Sequence, residues 1–499
     1  MPDDAARPAA SGGGATAAAP AKFVEGDLMR HVVVMTLSAS VGLMAIFLVD
    51  LADLFFISLL GQAELAAAVG YAAAIVFVNI SVGIGLAIAA GALVGRALGA
   101  GEQERARRYA THVSVVAVAV AVVVSALMMA AIPQLVALLG ARGETALLTE
   151  RYLSIVLPSL PFMVMMMCAG AVLRAHGDAR GAMNVTLLAA LANGVLDPLL
   201  IFSLDLGAAA GGAPGVWRIG ADLGLDGAAA ASVAARVVGC AYGLALVVRR
   251  HRGFAPLRRD ALARDVREIS GLAGPAMLTN VATPLGAAFM TRLVAEYGDA
   301  AVAGFAIIGR LTPVAFGAVF ALSGAIGPIV AQNCGAVRYD RVRETLTAAL
   351  KFLLVYVAAV TIALLAARGA IADAFGAEGA ARDLVYLFCG PLALFFFFNG
   401  VLFIANAAFN NLQRPFLSTA LNWGRHTIGT APPALLGASL GGAEGALLGQ
   451  AVGGLAFAAL AIWRAYRLVD QRAAGDGPRA EPERIYWRRP SWPFTSMRD

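Results

Sequence analysis

Three aspartates sit inside long apolar stretches of this 499-residue chain. Asp50 and Asp53 interrupt SVGLMAIFLVDLADLFFISLLG, and Asp197 interrupts VTLLAALANGVLDPLLIF, where it follows Asn193 by four residues. A carboxylate near mid-bilayer costs roughly 2.5–3.5 kcal/mol on insertion scales, so residues of this kind face a cavity and carry protons, ions or substrate. On helices the i, i+3 pair Asp50 and Asp53 shares one face, as does the i, i+4 pair Asn193 and Asp197. Turned toward each other, the two faces offer the carboxylate and amide oxygens that hard cations favour. The same group can instead hold a proton, because several buried negative charges close together are costly; its titration then belongs to the cluster. Pro198 lacks an amide hydrogen and frees one helix carbonyl beside Asp197. The pattern points to ion-coupled transport.

These residues need membrane-spanning elements to position them. The chain is 60% hydrophobic and only 14% charged, with a mean hydropathy of +0.76, which excludes a soluble globular protein. About twelve apolar spans of bilayer length recur without period-2 alternation, so they read as helices and not barrel strands. The net charge of +6 reports topology and not a nucleic-acid partner. Arginines gather in alternate loops, around Arg105 to Arg108, Arg174 to Arg180, Arg249 to Arg267 and Arg338 to Arg343, while the loops between are poor in basic residues. By the positive-inside rule both termini are cytoplasmic and the number of spans is even, and the expected location of this multi-pass protein is a bacterial cytoplasmic (inner) membrane. Cys168, Cys240, Cys334 and Cys389 form no CxxC or Cys/His cluster, and no metal or cofactor is expected.

Shifting the chain by 237 residues lays Gly61 on Gly298; shifts of 234 and 218 lay Tyr152 on Tyr386 and Gly227 on Gly445. Two six-helix bundles follow, in the same orientation, related by a pseudo-two-fold axis along the membrane normal. The expected layout is a disordered cytoplasmic tail over 1–28, an N-lobe over 29–250, a cytoplasmic linker over 251–268, a C-lobe over 269–468 and a cytoplasmic tail over 469–499. Under the same shifts Asp50 falls on Ala287, Asp53 on Met290, Asn193 on Thr427 and Asp197 on Ala431. The second bundle folds without the acids, so the ion chemistry is assigned to the first. Arg236 and Arg310 read as snorkelling or helix-end residues, with pairing to an acid or an anionic substrate as the alternative. His112, His176 and His251 read as solvated, and His426 as a candidate titrating group. Met165 to Met167 and Phe395 to Phe398 read as core or lipid-facing packing, with a plastic, polyspecific cavity as the alternative.

The stretches LVDLADLFFISLLGQAELAAAV, LRAHGDARGAMNVTLLAALANGVLDPLLIF and GLDGAAAASVAARVVG, with their second-half partners, resemble the multidrug and toxic compound extrusion (MATE) family over about 30–467. The resemblance implies an all-α protein of twelve helices in two lobes, a V-shaped outward-facing state, and export of cationic or amphipathic compounds against inward H+ or Na+. It places the family's cation site at Asp53, Asn193, Asp197 and, by its position in GAAAAS, Ser232, with Asp50 beside them. No acid lies in GLAGPAMLTNVATPLGAAFMTRLV, the span where one branch of the family carries a Glu, and this resembles the DinF-type branch. Many members have a proline in the first helix; here Ser38 stands in that place and Pro275 in its repeat partner. The expected function is cation-coupled antiport by a monomer, with H+ favoured over Na+; the alternative is a flippase for lipid-linked precursors. No HExxH, GxSxG or phosphate-binding loop suggests an enzyme.

Overall fold

The computed structural model describes residues 21–205 and 218–475. Twelve long helical segments follow one another there: α1 Leu28–Ser58, α2 Ala63–Gly99, α3 Gln103–Ala130, α4 Gly143–Ala175, α5 Ala179–Ile201, α6 Leu225–His251, α7 Arg259–Ala295, α8 Asp299–Gly335, α9 Tyr339–Ala374, α10 Gly379–Asn411, α11 over 415–440 and α12 over 443–473. Ten stretches among the described residues are long and apolar enough to cross a membrane; the stretch Pro415–Ala473 holds both α11 and α12, and α7 has the length but is more polar. The fold is all-α, with only a two-residue antiparallel ribbon pairing Leu204 with Ile219 between α5 and α6. Residues 1–20 and 476–499 of the two expected tails lie outside the described residues.

Helix ends follow local chemistry. Asp27 caps α1 by accepting from the amides of Met29 and Arg30. Asp178 caps α5 through the Gly181 amide (2.8 Å) and also binds Arg250 and His251. Burial works to raise the Asp178 carboxyl, but the Gly181 amide, Arg250 and His251 outweigh it and hold the carboxyl below the usual range. With serine at position 38, α1 is helical throughout, while α4 tightens into a 3₁₀ turn at Leu157–Ser159, beside Pro158 and Pro161.

By contacts the chain divides into 1–277 with 327–337, and 278–326 with 338–499. The first unit has a core of small and branched residues shared by α2, α3, α4, α6 and the start of α7, with Leu93, Val113, Val172 and Ile269 buried in it. α7 begins at Arg259, inside the segment read from sequence as a linker, because polar residues of its first turns are bonded to α3. Asp265 accepts from Arg108 Nε (2.9 Å) and meets His112 Nδ1 (2.7 Å), and Glu268 accepts from the Tyr109 hydroxyl (2.5 Å). His112 was expected in solvent; it is fully buried, since Asp265 reaches it from the neighbouring helix. The last turns of α8 join the same unit. A Cβ on Gly99 would overlap the Gln332 carbonyl and one on Gly335 the Arg96 carbonyl, so glycine alone permits this crossing.

Residues 21–27, placed by sequence in the disordered tail, form an ordered hook. Phe23 is 1% exposed, its N–H donates to Gln332 Oε1 (2.8 Å), and its carbonyl accepts from Asn333 Nδ2 (3.1 Å). Lys22 Nζ donates to the Gly177 carbonyl (2.6 Å). One aromatic ring with a paired backbone anchors a segment whose composition otherwise gives no sign of order. Phe23→Ala is expected to cost about 3–5 kcal/mol, the usual loss for a buried phenylalanine. It is read as a lower melting temperature of purified protein; an unchanged melting temperature would show that the hook is dispensable.

The second unit packs α11 against α12 as a tight hairpin around Gly441 and Gly442, whose backbone leaves the helical region. A polar cluster inside this unit joins α10 to α11, with Asn406 Oδ1 accepting from Ser418 Oγ (2.7 Å) and Asn422 Nδ2 (3.0 Å). Phe396 stacks on Phe316 at 4.2 Å, which accounts for part of the phenylalanine run as packing. Met165 is likewise buried in the core of the first unit.

Candidate functional site

α1, α4, α5 and α6 bring the predicted residues together inside the first unit. Asn193 Nδ2 donates to Asp53 Oδ1 at 3.3 Å, across 140 residues of sequence. Asp197 lies one turn further along α5, fully buried, with its side chain against that of Asp53. Neither of its oxygens makes a well-formed hydrogen bond, and the donor that faces it, the Asn193 amide, is already given to Asp53. Two facing carboxylates cannot hydrogen-bond each other; one proton between them makes one a donor and removes the deficit. Pro198 leaves the Gly194 carbonyl without its helical donor one turn back on the same helix.

Ser232 is 9% exposed on α6, and its side chain faces that of Tyr152 on α4. Tyr152 stands on the side of α4 that faces Asp53 and Asp197. Sequence reasoning missed Tyr152 as a site residue, because the repeat places Tyr386 opposite it and a residue present in both halves reads as packing. Asp50, one turn before Asp53, is exposed on α1 and borders the cluster without a direct bond to it.

Arg236 departs from its sequence reading. It lies in the middle of α6, one turn beyond Ser232, and not at a helix end. Its Nη1 donates to Ser159 Oγ (2.8 Å) and to the Val156 carbonyl (3.4 Å), at the point where α4 tightens. The Leu157–Ser159 turn exposes a carbonyl and a hydroxyl that a regular helix would have hidden, and these hold the guanidinium in place. Arg310 is exposed on α8.

The corresponding place in the second unit has different chemistry. Met290 is fully buried, and the Thr427 hydroxyl turns back to the Trp423 carbonyl (2.7 Å). Ala431 and Thr427, with Phe289, Trp423 and His426, line a cavity of about 420 Å³. His426 Nε2 faces the Thr283 hydroxyl at 3.5 Å. The duplicated frame therefore surrounds carboxylates in one unit and apolar and aromatic side chains in the other.

The MatE family profile matches residues 39–199 and 275–431, one segment in each half, in keeping with the internal duplication. The FAD transporter of Shewanella oneidensis is 29% identical over 410 residues, covering 82% of this chain and 88% of that protein. The multidrug export protein MepA of Staphylococcus aureus is 23% identical over 313 residues, 62% of this chain and 66% of its own length. Among solved structures, the Vibrio cholerae MATE transporter VcmN in its bent form matches with a TM-score of 0.81 and 26% identity, over 90% of this chain and 98% of that one.

Proposed function

Because the chain belongs to the MatE family of multi-pass membrane transporters, we propose that it exports amphipathic or cationic compounds by proton-coupled antiport at Asp53, Asn193, Asp197, Ser232 and Asp50. The observation that carries this reading is the buried Asp197 carboxyl, which faces Asp53 and makes no well-formed hydrogen bond with either oxygen. One proton supplies the missing donor and lowers the charge of the pair. Na+ would need several well-placed oxygens; Asn193 and Ser232 add two neutral ones, and the freed Gly194 carbonyl a third. Each elementary charge moving inward is worth about 2.3 kcal/mol per 100 mV, enough for a roughly fiftyfold gradient of a neutral substrate. Alternating loading of this site with proton and release of cargo is the coupling step. The arginine-rich loops support insertion in a bacterial cytoplasmic membrane with both termini inside, and one copy holds the whole site, consistent with a working monomer.

In proteoliposomes, a pH gradient with the outside acidic, in sodium-free buffer, is expected to drive ethidium efflux, with added Na+ changing the rate by less than about twofold, since the two ions compete for the same carboxylates. Efflux that requires Na+ and ignores the pH gradient would end the proton assignment while leaving the site.

A second cargo is favoured by one observation, the similarity to the Shewanella oneidensis protein named an FAD transporter, which extends over most of both chains. A flavin dinucleotide is aromatic and anionic where ethidium is aromatic and cationic. Competition of FAD against ethidium in the same vesicles separates the two: inhibition by FAD with FAD uptake into everted vesicles favours nucleotide export, and indifference to FAD favours cationic drugs.

A further inference from the structure

Arg174 is the one charged residue lining a cavity of about 50 Å³ inside the first unit. It lies one residue before the end of α4, in a stretch whose arginines read from sequence as loop charges. Its side chain turns back along the helix and away from that loop. A Cβ on Gly170, one turn earlier, would come within 3.3 Å of Arg174 Nη1, so glycine there leaves the guanidinium room to point inward. Among the described residues this guanidinium has neither an ion pair nor a hydrogen bond. The acid nearest to it in sequence, Asp178, is already bound to the Gly181 amide, Arg250 and His251. A guanidinium stays charged and carries five donors, so one held inside the protein without a partner must be satisfied by what fills the space beside it. Small residues open that space, Ala39 and Gly42 on α1 and Ala182 on α5. Thr186 of α5 also lines it, with a hydroxyl committed only to a long bond to the Ala182 carbonyl (3.4 Å). The volume suits a few waters or one phosphate-sized group and is far below the roughly 300 Å³ that a drug-sized ligand needs.

We propose that this cavity binds one phosphate group, clasped by Arg174 with the Thr186 hydroxyl as a second donor and reached from the end of the protein that carries the arginine-rich loops. The inference is independent of the assignment of Asp53 and Asp197. Phosphate fits the donors because the guanidinium fork gives two parallel N–H groups to two oxygens of one tetrahedral anion, a match that chloride cannot make. The first turn of α5 adds to the attraction: Ala179 closes one end of the cavity, and the start of a helix carries partial positive charge. The phosphate has two possible sources. One is the headgroup of an anionic phospholipid, since the site lies within the first turns of α5, where headgroups meet helix ends, and basic pockets between membrane helices hold such groups. The other is soluble phosphate. From either source the bound anion supplies the missing partner of Arg174 and stabilises the folded protein by mass action.

The test uses the full chain, purified and delipidated in neutral detergent, as wild type, Arg174→Gln, Arg174→Lys and Ala39→Leu. Inorganic phosphate replacing chloride at constant ionic strength is expected to raise the wild-type melting temperature along a saturating curve. In Arg174→Gln the phosphate concentration needed for the same rise should increase at least about tenfold, the effect of losing one charge-assisted hydrogen bond. Arg174→Lys keeps the charge without the fork and should fall between the two. Ala39→Leu keeps the arginine but fills the space, and should lose the response. A second arm places the same proteins in nanodiscs of phosphatidylcholine with or without phosphatidylglycerol and counts the retained phosphatidylglycerol by native mass spectrometry. One more molecule held by wild type than by Arg174→Gln identifies the headgroup as the source; a phosphate response without that difference identifies the soluble anion. A wild type that responds in neither arm holds only water in the cavity, and the inference falls. Equal responses by wild type and Arg174→Gln, or an unchanged response in Ala39→Leu, would place the binding elsewhere and overturn it as well. Arg174→Gln should melt no lower than wild type in phosphate-free buffer, because the lost charge has no protein partner. A clear drop there would make the guanidinium a structural group and end the proposal.

Discussion

Asp53→Asn and Asp197→Asn should each reduce coupled efflux to the background of empty vesicles, while expression and melting temperature stay near those of wild type. Asparagine keeps the size of the side chain and removes the site that exchanges a proton. It also supplies its own donor across the pair, to Asp197 in Asp53→Asn and to Asp53 in Asp197→Asn, so the fold loses little. The expected combination is a stable protein without coupling, and the pairing of the two readouts makes the test sharp: a structural role would lower both together. The duplication gives an internal comparison. Asn193→Ala removes the donor to Asp53, a bond worth about 1 kcal/mol, and should slow coupled efflux roughly fivefold. Thr427→Ala, at the matching place in the second half, removes a hydroxyl that turns back on its own helix and should be silent. Wild-type efflux by Asp53→Asn or Asp197→Asn would remove that residue from the mechanism, and equal losses from Asn193→Ala and Thr427→Ala would contradict a site confined to the first half.

Much of this arrangement was legible because membranes restrict what a sequence can mean. A carboxylate is so costly in an apolar helix that its position alone marks function, and the i, i+3 and i, i+4 spacings require Asp50 with Asp53, and Asn193 with Asp197, to share helix faces. The duplication then supplied a control that a single chain seldom offers. What was not legible depended on three-dimensional neighbours. Arg236 looks like any arginine on a helix until the 3₁₀ turn at Leu157–Ser159 brings a hydroxyl and a carbonyl to it from α4. His112 looked solvated because its sequence neighbours are Arg105, Arg107 and Arg108, yet its spatial neighbour is Asp265. The Phe23 hook was invisible for a related reason: its partners Gln332 and Asn333 are more than 300 residues away, and one aromatic in a tail has no period to betray it.

The largest stability effect is expected where two helices touch backbone to backbone. In the second unit, residues of α11 and α12 meet in an antiparallel register: Gly437 with Gly445, Pro433 with Gly449, and Gly429 with Gly453. A Cβ on Gly445 would overlap the Gly437 carbonyl, one on Gly449 the Pro433 carbonyl, and one on Gly453 the Gly429 carbonyl. Small residues spaced by four allow such approach in a bilayer, where hydrophobic burial gives helices no advantage over lipid and close packing must hold them together. The first unit relies on this device less, since the repeat shift places Ala231 opposite Gly449 and Ala235 opposite Gly453. Gly449→Val should therefore force the hairpin apart. Overpacking usually costs about 1–3 kcal/mol when side chains can yield; here the obstacle is a carbonyl of a proline residue, which cannot rotate away, so the loss should lie at or above the top of that range. Fluorescence-detected size exclusion and thermal unfolding of the extracted protein should show a lower yield and a clearly lower melting temperature. Gly441→Ala is the matched control, because its Cβ meets nothing within 4 Å, and it should leave both measurements unchanged. A Gly449→Val protein with the yield and melting temperature of wild type would mean that α11 and α12 do not pack through these glycines in the membrane.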